Sequence, residues 1–173
     1  FEKIGMKKKM EYDPASGKPF LHPGRQADMV YEGTVVGYLG EVHPLVADNY
    51  GIGERAYIAM IDIKSVLEFA NFDRKFTGIA KYPAVTRDIS MLVPKQVLAG
   101  QIEDILAQRG GKILESYQLF DIYEGSQIKG GYKSMAYALV FRDHDKTLEE
   151  SEISAAMKKI LNGLEGLGIE LRS

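Results

Sequence analysis

From Val85 onward the chain reads strand, helix, strand, strand, helix, strand, and few folds accept that order. It builds a split βαβ sheet of four antiparallel strands with both helices on one face, which leaves the opposite face open. The strand signals are clear. Val85, Ile89, Met91 and Val93 share one side of the first strand, with Asp88 and Ser90 on the other, and Pro94 closes it. A helix follows with Leu98, Ile102, Ile105 and Leu106 on one stripe, ended by Gly110-Gly111. Strand two runs from Ile113 to Tyr123 and strand three from Lys133 to Phe141, joined by the Gly-containing loop Glu124 to Tyr132. Thr147-Leu148-Glu149-Glu150 matches a capping box ahead of the apolar stripe Ile153, Met157, Ile160, Leu161 and Leu164. Gly166 and Gly168 lead into a last short strand, Ile169 to Leu171.

Residues two apart in a strand share a face. In strand three the larger apolar set is Met135, Tyr137, Leu139 and Phe141, which is expected to meet the helices, while Ser134 falls on the other side. In strand two, Phe120 and Ile122 are expected to join that core, which puts Tyr117, Leu119, Asp121 and Tyr123 on the open face. Asp121, Tyr123 and Ser134 then converge at the hairpin end. An acceptor, an aromatic plate and a hydroxyl suit an unstacked nucleobase, although a Tyr and an Asp on an outer sheet face also occur as ordinary solvated residues.

The first 70 residues read differently. Residues 13 to 24 hold Asp13-Pro14, Ser16-Gly17-Lys18-Pro19 and His22-Pro23-Gly24, the composition of a long loop. Ala27 to Tyr31 and Thr34 to Gly40 are β-prone runs separated by Glu32-Gly33, a hairpin signal. A short helix is expected from His43-Pro44 to Tyr50 and another from Lys64 to Ala70. Arg55 to Ile63 is apolar on both sides, as in a strand buried within a sheet. No helix here is long enough to complete an independent α/β core, so these residues look like the end of a larger domain, with a boundary between Phe72 and Pro83.

Composition excludes several chemistries. The chain has no cysteine, so disulfides, thiolate zinc sites and a cysteine nucleophile are ruled out. His22, His43 and His144 are too scattered for a metal-ligand spacing, no Gly-rich phosphate loop or serine elbow occurs, and His22-Pro23-Gly24-Arg25 reads as a fixed loop with an anchored Arg rather than an active site. No apolar run approaches the ~20 residues needed to cross a bilayer. A soluble, cytoplasmic protein with no membrane partner is expected. Net charge is -2, and Lys plus Arg against Asp plus Glu is 10 to 11 over residues 1–80 and 12 to 13 over residues 81–173. Broad phosphate neutralisation is therefore not indicated, whereas reading a few unstacked bases needs little net charge.

Four segments carry a family resemblance: Tyr82-Pro83-Ala84-Val85-Thr86-Arg87-Asp88, Leu119-Phe120-Asp121-Ile122-Tyr123, Lys133-Ser134-Met135-Ala136-Tyr137 and Arg142-Asp143-His144-Asp145-Lys146-Thr147-Leu148. Through them residues 82–173 resemble the ferredoxin-fold anticodon-binding domain of bacterial phenylalanyl-tRNA synthetase beta subunits. Leu21-His22-Pro23-Gly24-Arg25 and Val36-Gly37-Tyr38-Leu39-Gly40-Glu41-Val42-His43-Pro44 resemble the end of that subunit's catalytic-like core, giving a first region over residues 1–75. The resemblance implies an α+β chain: the truncated end of an inactive synthetase-like α/β core, then a ferredoxin-like βαββαβ domain. It implies that Asp121 and Ser134 hydrogen-bond near the first anticodon base, a guanine, and that Tyr123 stacks on it. Arg142 and Lys146 are weaker candidates, either phosphate contacts or surface charges near a helix start. Arg87 and Asp88 are expected to serve as a structural ion pair or strand-end cap.

By the same resemblance the partners are phenylalanine tRNA, a catalytic alpha subunit and a second alpha–beta pair. ATP and magnesium belong to the intact ligase, with no cofactor or catalysis in this stretch. A competing reading is an amino-acid-sensing regulatory module, because ferredoxin-like domains of this strand order also bind amino acids. A third is an assembly surface formed by the exposed strands of the first region.

Overall fold

Glu32 and Gly33 both have left-handed backbone, with φ of 49° and 78°, the geometry that a two-residue turn between twisted strands requires. In the computed structural model, which describes residues 1–73, 75–76 and 78–172, this turn joins β2 (Leu21–Tyr31) to β3 (Thr34–Val42). β1 (Glu11–Asp13) lies along β2 and β4 (Tyr57–Ile61) along β3, so the antiparallel sheet runs β1-β2-β3-β4. Two short helices accompany it, α1 (Pro44–Asn49) and α2 (Ile63–Phe69). Met6, Met29, Tyr31, Val36 and Val66 form a small buried cluster, and the Tyr31 ring meets Phe69 edge-on with centroids 5.2 Å apart. These elements make up the first of two compact units, Phe1–Thr77 and Gly78–Ser173.

Two expectations for the first unit are corrected. The stretch before Ala27 is not all loop: Glu11–Asp13 is already β1, and β2 starts at Leu21. His22-Pro23-Gly24 sits within β2 as an irregularity, where the register jumps from Leu21 opposite Val42 to Gln26 opposite Gly40. Proline and glycine are tolerated in a strand where its ladder is interrupted in this way. β4 is an edge strand with every residue exposed rather than a buried one. Apolar residues on both sides of a strand record its capacity for burial, and the described residues do not supply the cover.

The second unit has the expected order and topology. It consists of β5 (Val85–Pro94), α3 (Ala99–Arg109), β6 (Leu114–Tyr123), β7 (Tyr132–Phe141), α4 (Glu150–Glu165) and β8 (Glu170–Leu171). The antiparallel sheet runs β6-β7-β5-β8, the ferredoxin-like arrangement. Ile89, Met91 and Val93 of β5 and Met135, Tyr137, Leu139 and Phe141 of β7 pack with Ile102 and Leu106 of α3 and Ile153, Ile160 and Leu164 of α4. Both helices therefore cover one face. The capping box of α4 lies two residues later than its sequence signature, because the helix starts at Glu150 and the Glu152 carboxylate accepts from the Glu149 N–H at 3.1 Å.

Strand β6 departs from simple alternation. Leu119 pairs with Tyr137, but the next pair is Asp121 with Ala136, so one extra residue, Phe120, is inserted at a β-bulge. Before the bulge Tyr117 and Leu119 pack against the helical core, contrary to the alternation argument. After it, Asp121 and Tyr123 stand opposite Ala136 and Ser134 and share their face. Phe120 and Ile122 do not join the core and are 56% and 55% exposed. Strict alternation from Leu119 would have turned Asp121 and Tyr123 toward the helices. The bulge reverses that.

Tyr137 is fully buried in this core, and its hydroxyl has no hydrogen-bond partner among the described residues. Burial pushes the phenol well above its ordinary range, so it stays protonated and unpaired. A buried unsatisfied hydroxyl opposes folding. Tyr137→Phe should leave the fold intact and raise stability by about 1 kcal/mol in thermal or urea unfolding; a clear loss would show that the hydroxyl has a partner in solution.

Candidate functional site

The face of the second sheet turned away from the helices has a small-residue floor. Register places Ser90 opposite Ala136 and Leu92 opposite Ser134, and places Ala138 opposite both Asp88 and Gln118. On the β6 side the bulge adds Asp121 and Tyr123, with Tyr123 directly across from Ser134. Asp121 is diagonal to Ser134, a spacing of about 7–8 Å between Cα atoms, within reach of one ligand held between the two side chains. Asp121, Tyr123 and Ser134 thus share one face and one end of the sheet, in agreement with the sequence reading.

Tyr123 is 42% exposed and leans over the loop that follows it. A methyl group at Gly125 would run into the Tyr123 ring and hydroxyl, so the absence of a side chain there makes room for the phenol. The loop is also tethered. Lys95 Nζ pairs with the Glu124 carboxylate at 2.8 Å, and the Lys95 N–H donates to the Gly131 carbonyl at 2.9 Å. Its hydrogen bond to Lys95 holds the Glu124 carboxyl below its ordinary range. The last turn of the loop carries Lys129 over the Tyr132 ring, 4.6 Å from its centroid.

Ser134 is only 4% exposed, yet no helix covers its face. Its hydroxyl oxygen accepts from Arg172 Nη1 at 3.3 Å. The Arg172 N–H donates to the Ser90 carbonyl at 2.8 Å, which carries the pairing of β8 with β5 one residue further. The guanidinium therefore reaches across β5 from the far edge of the sheet. Nothing in the sequence signalled this residue, because two-residue β8 has too little pattern to fix a face.

The other candidates lie elsewhere. Arg142 follows β7 at the opposite end from Ser134, where its Nε pairs with Glu115 at 3.0 Å and its Nη1 donates to the Tyr82 carbonyl at 2.9 Å. Lys146 Nζ is paired with Glu152 at 2.6 Å beside the start of α4. Both cations are engaged within the unit and apart from the three clustered residues. Arg87 bridges to Glu150 at 2.6 Å on the helix side, as a structural pair, whereas Asp88 lies opposite Ala138 on the open face.

In the first unit the His-Pro motifs act locally. His22 Nδ1 accepts from the Gly24 N–H at 3.1 Å, and His43 Nδ1 accepts from the Leu45 N–H at 3.2 Å to cap α1. Arg25 Nη1 lies 2.9 Å from both oxygens of the buried Glu41 carboxylate. That pair is the anchor the sequence suggested for Arg25. Among the described residues no group of three or more His, Cys, Asp or Glu could hold a metal ion, and no helix is long and apolar enough to cross a membrane.

Residues 80–172 match the family model described as ferredoxin-fold anticodon binding domain. The chain belongs to this family. Its match spans β5 to β8 and so includes the whole open face. Residues 1–63 match a second model, the phenylalanyl tRNA synthetase beta chain CLM domain. Among curated proteins, the chain is 45% identical over 165 residues to a phenylalanine–tRNA ligase beta subunit of Clostridium acetobutylicum, covering 95% of this chain and 21% of that protein. The Clostridium tetani counterpart is 43% identical with the same coverage, and that of Bacillus licheniformis is 37% identical over 164 residues, 95% of this chain and 20% of that protein. The chain spans about a fifth of the length of these relatives.

Replacing Gly125 by alanine should displace the Tyr123 ring without unfolding the unit. Tyr123 ring-proton NMR shifts are expected to change while the unfolding temperature moves by only a few degrees; unaltered shifts would contradict the packing of the phenol over the loop.

Proposed function

We propose that the second unit reads the anticodon of phenylalanine tRNA on its open face, as part of a phenylalanine–tRNA ligase beta subunit. Tyr123 stacks on the first anticodon base, a guanine, while Asp121 and Ser134 hydrogen-bond to its edge. The observation that carries this is the convergence of these three side chains at one end of an uncovered face, in a domain of the anticodon-binding family. An aromatic plate flanked by hydrogen-bonding groups is how single-stranded bases are held. The near-neutral charge fits recognition by stacking and hydrogen bonds rather than by phosphate neutralisation.

In this reading residues 1–75 are the end of a catalytic-like core without catalytic work. The alpha subunit makes phenylalanyl-adenylate with ATP and magnesium and charges the tRNA, in a cytoplasmic assembly of two alpha and two beta subunits. The unit described here holds the anticodon stem-loop so that the acceptor end reaches that site. Arg142 and Lys146, already paired to carboxylates, contribute little to RNA affinity.

Tyr123→Ala should weaken binding of phenylalanine tRNA by about 1–3 kcal/mol, the usual worth of one base stacked on an aromatic ring. The natural chain should also lose affinity when only the first anticodon base is changed. Unchanged titrations in both cases, or a calorimetric response to free amino acids in place of RNA, would reject the assignment.

A further inference from the structure

Strand pairing carries the open face past Ser134 to the rim of the sheet. Ser134 lies opposite Leu92, Lys133 opposite the buried Val93 and Tyr132 opposite Pro94 with no break in register, so Tyr132 shares the face of Ser134. Glu170 of β8 is opposite Leu92 and stands on that face too. Lys129 joins them from the loop. Its ammonium is 4.6 Å from the centroid of the Tyr132 ring and 3.5 Å from a Glu170 carboxylate oxygen. The Lys129 backbone is held, because its carbonyl accepts from the Tyr132 N–H at 3.0 Å, while the side chain is 59% exposed. Lys95, the other loop-side lysine paired to a carboxylate, is bound more closely, to Glu124 at 2.8 Å. An exposed ion pair of this kind shifts an equilibrium by no more than about fivefold, so Lys129 exchanges its carboxylate for another anion at little cost.

The layout of the face says where such an anion arrives. Asp121, opposite Ala136, lies inward of Tyr123, whereas Tyr132 and Lys129 lie outward of Ser134. A base with its plane on Tyr123 and its polar edge toward Asp121 carries its ribose and phosphate on the other side, toward the rim. We propose that Lys129 is the phosphate-binding residue of the open face, parked over Tyr132 in the free chain by Glu170, a carboxylate that holds the ammonium until an RNA phosphate replaces it. The contact is blind to sequence, since a phosphate contact sets position and not base choice. It rests on the anticodon reading and adds the path of the RNA backbone to it. One lysine passed from a carboxylate to a phosphate needs no basic surface, in keeping with a net charge of -2.

The test titrates the full chain with the anticodon stem-loop of phenylalanine tRNA over a range of potassium chloride concentrations. Each phosphate neutralised on a single strand contributes about 0.7 to the slope of log affinity against log salt. Lys129→Met, which keeps an apolar stem over the Tyr132 ring, should weaken binding by about fivefold at low salt and make that slope shallower by about 0.7. The penalty for changing the first anticodon base should be the same as in the natural chain. Glu170→Gln should tighten binding by about twofold by freeing the ammonium, and that gain should vanish when the two substitutions are combined. Both side chains are exposed, so the variants should fold. A Lys129→Met chain with unchanged affinity and slope overturns the proposal. So does a loss of affinity with an unchanged slope, which would mark a structural contact with the ring, and so does a Glu170→Gln gain that persists without Lys129. If Tyr123→Ala weakens binding in the same titrations, the anticodon reading survives any of these failures; if neither Tyr123→Ala nor Lys129→Met has an effect, both fall.

Discussion

A single extra residue in one strand determines which side chains β6 presents on the open face. Between the Leu119–Tyr137 and Asp121–Ala136 pairs, Phe120 has no partner of its own, and every side chain after it changes sides. The upstream part of β6 serves the core through Tyr117 and Leu119, while the downstream part serves the surface through Asp121 and Tyr123. One strand thus carries two incompatible patterns, each correct for its own half. Tyr117 and Leu119 pack, partly buried, against the core, and only the shift brings Asp121 and Tyr123 to the other face.

The remaining pieces of the site depend on that register. With Tyr123 opposite Ser134, the phenol has a partner strand whose open-face positions are small, Ser134, Ala136 and Ala138, so a flat ligand can approach the sheet. Gly125 and the Lys95–Glu124 pair settle the loop around the ring, and Arg172 reaches the buried Ser134 hydroxyl from the opposite edge. Positive charge is used here at single points rather than spread over a surface. That economy accords with a chain whose net charge is -2 and whose Arg142 and Lys146 are occupied by neighbouring carboxylates.

How far these features were legible in the sequence follows from the kind of signal each one leaves. The element order, the helix stripes ending in Leu106 and Leu164 and the Glu32-Gly33 turn depend on local periodicity and backbone preference and appear where the residues indicate, except that Leu98, expected on the α3 stripe, is the exposed N-cap just ahead of the helix. Bulges leave no comparable mark, so alternation applied uniformly along β6 placed Asp121 and Tyr123 correctly and Tyr117, Leu119, Phe120 and Ile122 wrongly. The same blindness affected His22-Pro23-Gly24, where turn-forming residues sit inside an interrupted strand. Arg172 was invisible because its role comes from a contact across two strands, with Ser134 thirty-eight positions away. The exposure of β4 could not be read either, since an apolar sequence states what it can bury and not what is present to bury it.

The most direct measurement is amide and side-chain NMR of the chain titrated with the anticodon stem-loop of phenylalanine tRNA. Perturbations gathered on Ser90, Asp121, Tyr123, Ser134, Ala136 and Arg172, with α3 and α4 unaffected, are expected if the bulge-defined face holds the base. Shifts centred on the helices, or on Arg142 and Lys146 with Tyr123 silent, would contradict it.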